Sequence, residues 1–412
     1  MEKIRAFIFY TLILGFIGAY FSITLYQAFF ILAILGGFVY LLIKIKQDGL
    51  SVLSPKGKLF YFPLLGHLSV ITLSSIFFLR VKEQWRRLIE QDFFSFSYFL
   101  SFIFNKETAK KLLTIFSFLS ILLGTVLALK LLYSYWSYGG TKGFWGGMFV
   151  VGNLLSFSIF STFYLFLKQK NIFIKGFLFL IGTLLLAAFF IPDRRSLELG
   201  LLVGLATFLI GLYKLDYINN IIKTFIVLFS IVITIGGAIF FFHSERAHFY
   251  IYLIKTYGLT EYTLNKISTN RILIAKSACS LIEEAWRKGD YIKLLIGWGY
   301  GPQKQYKNIP GKWRQEKYNE YESFLPITVF INGGLINLIF IVWFYISAII
   351  LTGKVVKNLT QPYGLLMLTF ISAVWVNLIY HLFTLFWVPI NSIYYLILGL
   401  LEKLTKEEGK LI

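Results

Sequence analysis

The residues of this chain best suited to handling a charged leaving group are two arginine-bearing strings and one glutamate. Arg194-Arg195 is followed by Glu198, three residues after Arg195 and four after Arg194, so on a helix one carboxylate can hold either guanidinium. Asn270-Arg271 follows Ser268-Thr269, an N-cap signal that predicts a helix over 271–288 ended by Gly289. First-turn N–H groups, the positive dipole end and a bidentate guanidinium at Arg271 together suit a phosphate or diphosphate. A plainly solvated first-turn arginine fits the same position. Gly297-Trp298-Gly299-Tyr300-Gly301-Pro302 alternates glycines with aromatics. It reads either as a tight turn whose flat faces, Trp298 and Tyr300, suit stacking on sugar rings, or as a structural turn alone. No βαβ pattern surrounds it, so it is not a dinucleotide fingerprint. Tyr318-Asn319-Glu320-Tyr321-Glu322 then leads into an apolar run. A carboxylate at the mouth of a membrane span is hard to desolvate, which suits Glu322 to accept a proton. A solvated glutamate favoured by the helix dipole is the alternative.

The elements that must position these groups are membrane helices. The composition is 57% hydrophobic over 412 residues, which excludes a soluble enzyme. At about 20 apolar residues per span, runs near 6–22, 25–44, 59–79, 93–104, 112–134, 147–167, 172–191, 196–213, 219–243, 323–351, 360–380 and 383–401 predict an all-α polytopic membrane protein of twelve spans. The expected organisation is a bundle over 1–243, a polar loop domain over 244–321 between the ninth and tenth spans, three further spans over 322–401, and a charged tail over 402–412 that frays into water. Ile272, Ala275, Cys279, Ile282 and Trp286 predict one apolar stripe on the loop helix, which would lie on the membrane surface or on the bundle. The start Met1-Glu2-Lys3-Ile4-Arg5 leads into a helical hairpin, not a cleavable signal.

Orientation follows from the short loops. Lys44, Lys46, Lys56, Lys58, Lys106, Lys110, Lys111, Lys168, Lys170, Lys175, Lys354 and Lys357 all fall on one side, cytoplasmic by the positive-inside rule. Both termini are then cytoplasmic and the 244–321 loop faces outward. The net charge of +20 is read as headgroup anchoring and anionic-lipid contact, with no nucleic acid partner. Two outward loops run against the bias: Arg194-Arg195, and Arg80-Val81-Lys82-Glu83-Gln84-Trp85-Arg86-Arg87. Arg80, Arg86 and Arg87 serve either as snorkelling anchors or as a steering surface for an anionic carrier. Lone Cys279 excludes an intramolecular disulfide and a thiolate zinc site. His67, His243, His248 and His381 lack metal-ligand spacing, and no metal or cofactor is expected.

In order and topology these pieces resemble the O-antigen ligase and polymerase superfamily. The matching strings are Arg195-Ser196 opening a span, Asn270-Arg271 early in the loop, the Gly297-Trp298-Gly299-Tyr300-Gly301 turn, and Glu322-Ser323-Phe324-Leu325 through Asn332-Gly333-Gly334-Leu335-Ile336. Phe21-Ser22-Ile23 through Gln27-Ala28 is similar to the family's N-terminal hairpin. The resemblance implies a multi-pass protein of the bacterial inner membrane with a periplasmic active site. It implies transfer of a glycan from an undecaprenyl-pyrophosphate carrier to an acceptor hydroxyl, lipid A–core for a ligase or a second carrier-linked repeat for a polymerase. On that pattern Arg195 and Arg271, supported by Arg194, meet the pyrophosphate, Glu322 takes the acceptor proton, and Trp298, Tyr300, Tyr318 and Tyr321 contact the glycan. One departure stands out. Ligases carry a His-Asn pair where the loop re-enters the membrane, whereas no histidine occurs here between His248 and His381. A transporter is the rival of a different class, but the span interiors are almost free of charge and the halves show no repeat.

Overall fold

The computed structural model describes residues 1–54, 58–77, 93–140, 143–145, 148–191, 194–215, 245–268, 271–299, 325–383 and 390–405. All regular structure among them is helical. The bundle comprises α1 (Glu2–Phe21), α2 (Ile23–Asp48), α3 (Tyr61–Phe77), α4 (Lys106–Tyr138), α5 (Met148–Lys168), α6 (Ile172–Phe190) and α7 (Arg195–Lys214). Four helices of the polar loop follow: α8 (Glu245–Tyr257), α9 (Glu261–Ile267), α10 (Arg271–Arg287) and α11 (Tyr291–Ile296). The chain returns through α12 (Leu325–Lys357), α13 (Gly364–Leu382) and α14 (Asn391–Thr405). Eight of these, α1, α2, α4 to α7, α12 and α13, are long and apolar enough to cross a membrane. The protein is therefore an α-helical polytopic membrane protein. The expected ninth span, 219–243, lies outside the described residues.

The faces that look outward are apolar. On α6, Phe173, Phe177 and Leu180 are exposed, as are Leu122 and Leu129 on α4 and Ile339, Val342 and Ile346 on α12. In water such a belt would be an aggregation surface; against hydrocarbon it costs nothing. Inside, small residues set the closest approach. Gly200 and Gly204 on α7 lie against the backbone of α13, where added Cβ atoms would stand 2.5 Å from the Val376 carbonyl oxygen and 2.7 Å from that of Ser372. This is the spacing by which small residues let membrane helices meet backbone to backbone.

Two of the apolar runs that the sequence predicts as spans are not single long helices among the described residues. Residues 93–103 form three consecutive short turns, Phe93–Phe96, Ser97–Leu100 and Ser101–Ile103, not a continuous helix. At 1.5 Å per residue the stretch would reach only about 16 Å even as one helix, half the hydrocarbon thickness. It packs along α14, with Ser97 Oγ donating to the Ser392 carbonyl at 2.7 Å. In the other run, helix α14 begins at Asn391 and is buried on nearly every side. It also continues past the expected start of the tail. Glu402 is buried, accepting from the Leu59 backbone N–H at 3.0 Å and the Tyr98 hydroxyl at 2.6 Å. Residues 402–405 thus belong to the core, because a carboxylate with two firm donors is tolerated there; 406–412 lie outside the described residues.

Gly200→Ala is expected to lower the unfolding temperature in detergent, with an overpacking cost of about 1–3 kcal/mol. Gly176→Ala, where the new methyl meets nothing within 4 Å, is expected to hold or raise it. Thermal unfolding followed by intrinsic fluorescence distinguishes the two.

Candidate functional site

Arg195 opens α7, with Arg194 as its extended N-terminal flank. The exposed Arg195 side chain reaches the polar loop. Its Nη2 donates to the Ile267 carbonyl at 3.2 Å and to the Tyr250 hydroxyl, and its guanidinium carbon lies 4.8 Å from the Tyr250 ring centre. Tyr250 comes from α8, and Ile267 is the last residue of α9. Both contacts use Nη2, so Nε and Nη1 make no hydrogen bond to any described residue. A guanidinium held by one nitrogen and stacked on an aromatic face keeps donors for a planar anion.

Four residues beyond Ile267 the chain reaches Arg271, the first residue of α10. Ser268 Oγ accepts from the Ile272 backbone N–H at 3.4 Å, which serves the N-cap role expected of this string. Arg195 thus contacts the last residue of the helix before α10; the side chain of Arg271 lies outside the described atoms. Arg80, Arg86, Arg87, Tyr300, Tyr318, Tyr321 and Glu322 fall outside the described residues.

The loop is fastened to the bundle at a break in α12. Gly334 has φ 68° and ψ −166°, which interrupts the intrahelical ladder. The Ile331 and Asn332 carbonyls accept instead from the backbone N–H groups of Trp298 (2.8 Å) and Gly299 (3.1 Å), and Ser74 Oγ adds a 3.3 Å contact to Asn332. No other residue fits this junction. A Cβ on Gly297 would stand 2.4 Å from the Gly333 nitrogen, and one on Gly334 2.3 Å from the Leu295 carbonyl group, with positive φ at both. Trp298 is buried here against Ala278, Ala285, Ile331, Leu281 and Ile282. Of the two readings of the glycine–aromatic turn, the structure gives Trp298 the structural one, since its ring has no free face for a sugar.

The same cluster revises the stripe on α10. Its inward face is Ala278, Leu281, Ile282 and Ala285, whereas Cys279 is exposed and Trp286 is 67% exposed, edge-on to Tyr291 at 6.1 Å. The two alternatives differ by a rotation of one residue about the helix. Small Ala278 and Ala285 win because they admit the Trp298 indole, which a face carrying Trp286 would exclude.

Sequence reasoning missed a polar pair beneath the break. His67 on α3 and Asn337 on α12 are both buried, with Nδ1 and Oδ1 2.6 Å apart, and Asn337 Nδ2 donates to the Val329 carbonyl at 3.2 Å. With the amide so oriented, His67 Nδ1 is the donor. The available signal was an ionisable residue inside an apolar span, which in a membrane protein is a functional candidate by default. His381 makes the same kind of pair with Asn391 at 3.0 Å, and Asn377 with Asn153 at 3.2 Å.

No family model matches this sequence. An uncharacterized protein of Aquifex aeolicus (strain VF5) is 29% identical to it over 326 residues, which is 78% of this chain and 78% of the relative.

Gly334→Ala is expected to undock the loop. The backbone at φ 68° and ψ −166° is essentially restricted to glycine and costs about 1–3 kcal/mol with a side chain, and the added methyl meets backbone atoms. Hydrogen exchange over residues 291–299 should accelerate in this variant. It should stay unchanged in Gly353→Ala, where a methyl on the same helix meets nothing within 4 Å.

Proposed function

We propose that this protein is a membrane glycosyltransferase that moves a glycan from undecaprenyl pyrophosphate to a lipid A–core hydroxyl on the outer side of the bacterial inner membrane, an O-antigen ligase. The observation that supports this most is the meeting of Arg195 with the Ile267 carbonyl, four residues before Arg271. In this reading the arginine-bearing starts of α7 and α10 face one diphosphate from the bundle and from the loop. In this reading there are twelve spans, both termini are cytoplasmic, and the 244–321 loop is periplasmic.

The chemistry is a single displacement. The acceptor oxygen forms a bond to the anomeric carbon as the bond from that carbon to the pyrophosphate oxygen breaks. The acceptor proton passes to Glu322, and the electron pair leaves on undecaprenyl pyrophosphate. Configuration at the anomeric carbon inverts. Negative charge on the departing pyrophosphate grows in the transition state, so preorganised cations aimed at it accelerate the step. Arg195 and Arg271, with Arg194 in support, supply that charge without a metal or cofactor. Arg80, Arg86 and Arg87 draw the anionic carrier to the membrane face, and Tyr300, Tyr318 and Tyr321 line the glycan path.

A polymerase, with a second carrier-linked repeat as acceptor, is the second reading. The absence of a histidine between His248 and His381, where ligases carry one, favours it. Both share the donor chemistry.

Purified protein in liposomes with undecaprenyl-pyrophosphate-linked glycan should release undecaprenyl pyrophosphate in step with acceptor glycosylation. Arg195→Ala is expected to lower the turnover rate by about 10²–10³-fold, the usual loss of one charge-stabilising donor, with folding intact. Tyr250→Phe, which removes only the hydroxyl that holds Arg195, should cost less. Full transfer activity in Arg195→Ala would refute the assignment, and glycan-lipid movement across the bilayer without turnover would make the protein a transporter.

A further inference from the structure

At the end of the bundle away from Arg195 lies a cavity of about 780 Å³, bounded by the start of α1, the end of α2, the start of α3 and the 93–103 turns. That volume falls in the range of small-molecule and cofactor sites. Its lining combines two chemistries. Phe38, Leu41, Leu65, Phe96, Phe99 and Ile103 make an apolar lining, whereas the polar lining carries Arg5, Lys44, Lys58 and Lys403 against one carboxylate among the described residues, Asp48. Three of these cations have defined contacts. Arg5 donates to the Tyr40 hydroxyl from Nε at 3.1 Å and from Nη2 at 2.7 Å. Lys58 lies over the rings of Tyr61 and Phe102, 5.3 and 4.9 Å from their centres. Lys44 pairs with Asp48 at 3.2 Å. A second hollow of about 460 Å³ shares Asn105 and Lys403 with the first and adds Lys106, with Lys110 paired to Glu107 at 3.9 Å.

We propose that this cavity is a binding site for an anionic phospholipid, with the phosphate among Arg5, Lys44, Lys58 and Lys403 and an acyl chain along Phe38, Leu65 and Phe99. A soluble anion would leave the apolar lining empty, and a zwitterionic lipid would bring its own cation to a site already carrying four. An anionic lipid matches both halves. The site is independent of the proposed transfer chemistry, because it involves none of the residues assigned to it.

The test is binding of phosphatidylglycerol and phosphatidylcholine with identical chains to the purified full-length protein, read by native mass spectrometry. Each basic residue meeting an anionic headgroup contributes about fivefold in affinity. Phosphatidylglycerol is therefore expected to bind at least about fivefold tighter than phosphatidylcholine. The triple variant Lys44→Gln, Lys58→Gln, Lys403→Gln should lose more than about tenfold of that affinity. The triple Lys168→Gln, Lys170→Gln, Lys175→Gln, whose lysines line neither hollow, should keep it. A photoactivatable phosphatidylglycerol on the unmodified protein gives a readout free of folding effects, with labelling expected within residues 34–41, 58–65 or 96–105. Equal affinity for the two lipids, equal losses in the two triples, or labelling elsewhere would overturn the proposal. Displacement of the lipid by an equal concentration of inorganic phosphate would overturn it too, by showing a site for a soluble anion.

Discussion

The break in α12 at Gly334 is the constraint on which the rest of the polar end depends. In hydrocarbon an unpaired backbone group costs several kcal/mol, so irregular backbone at that depth survives only where protein satisfies it. Here the Ile331 and Asn332 carbonyls are met by the Trp298 and Gly299 N–H groups and by Ser74. The glycines at 297 and 334 allow the two backbones to touch, and Trp298 fills the space between α10 and α12. The loop is therefore fixed by backbone pairing and one buried indole. Elsewhere in the loop Tyr250 and Ile267 reach Arg195, a second attachment to the bundle.

Below that junction the core is held by polar pairs as well as by packing. His67 with Asn337, His381 with Asn391 and Asn153 with Asn377 each join two elements through buried amide or imidazole groups. Tyr394 adds a hydrogen bond to the Asn153 carbonyl at 3.1 Å. Hydrophobic burial does not drive helices together where lipid is equally apolar, so close packing at Gly200 and Gly204 and these directed pairs fix which helices are neighbours. His67 and Asn337 also tie α3 to the segment that carries the break, so the loop's seat is braced from beneath.

The long helices were legible because a span of twenty apolar residues has few other fates. The seat of the loop was legible only in part: Gly297 and Gly299 mark a turn in the sequence, whereas Gly334 lies inside an apolar run, and nothing local says that they meet one another. The form of the 93–104 and 383–401 runs was legible only in part, for a shared reason. Apolar composition reports burial without saying whether lipid or protein does the burying, and both stretches pack on protein. Glu402 was assigned to water because its partners, Leu59 and Tyr98, lie more than 300 residues away in sequence. On α10, two stripes one residue apart satisfy the helical period equally, and only the size of Trp298 decides between them. Nothing local in the sequence signals that Arg195 meets Tyr250 and Ile267 of the loop.

The account turns on a glycan handed from a polyprenyl diphosphate to lipid A–core. The most direct measurement is a lipopolysaccharide gel with parallel carrier-lipid analysis on cells from which this protein has been removed. The account predicts bare lipid A–core with long polymer stranded on undecaprenyl pyrophosphate. Core capped by a single repeat, with no ladder, would move the protein to the polymerase reading. An unchanged ladder with no accumulated carrier-linked glycan would contradict the account.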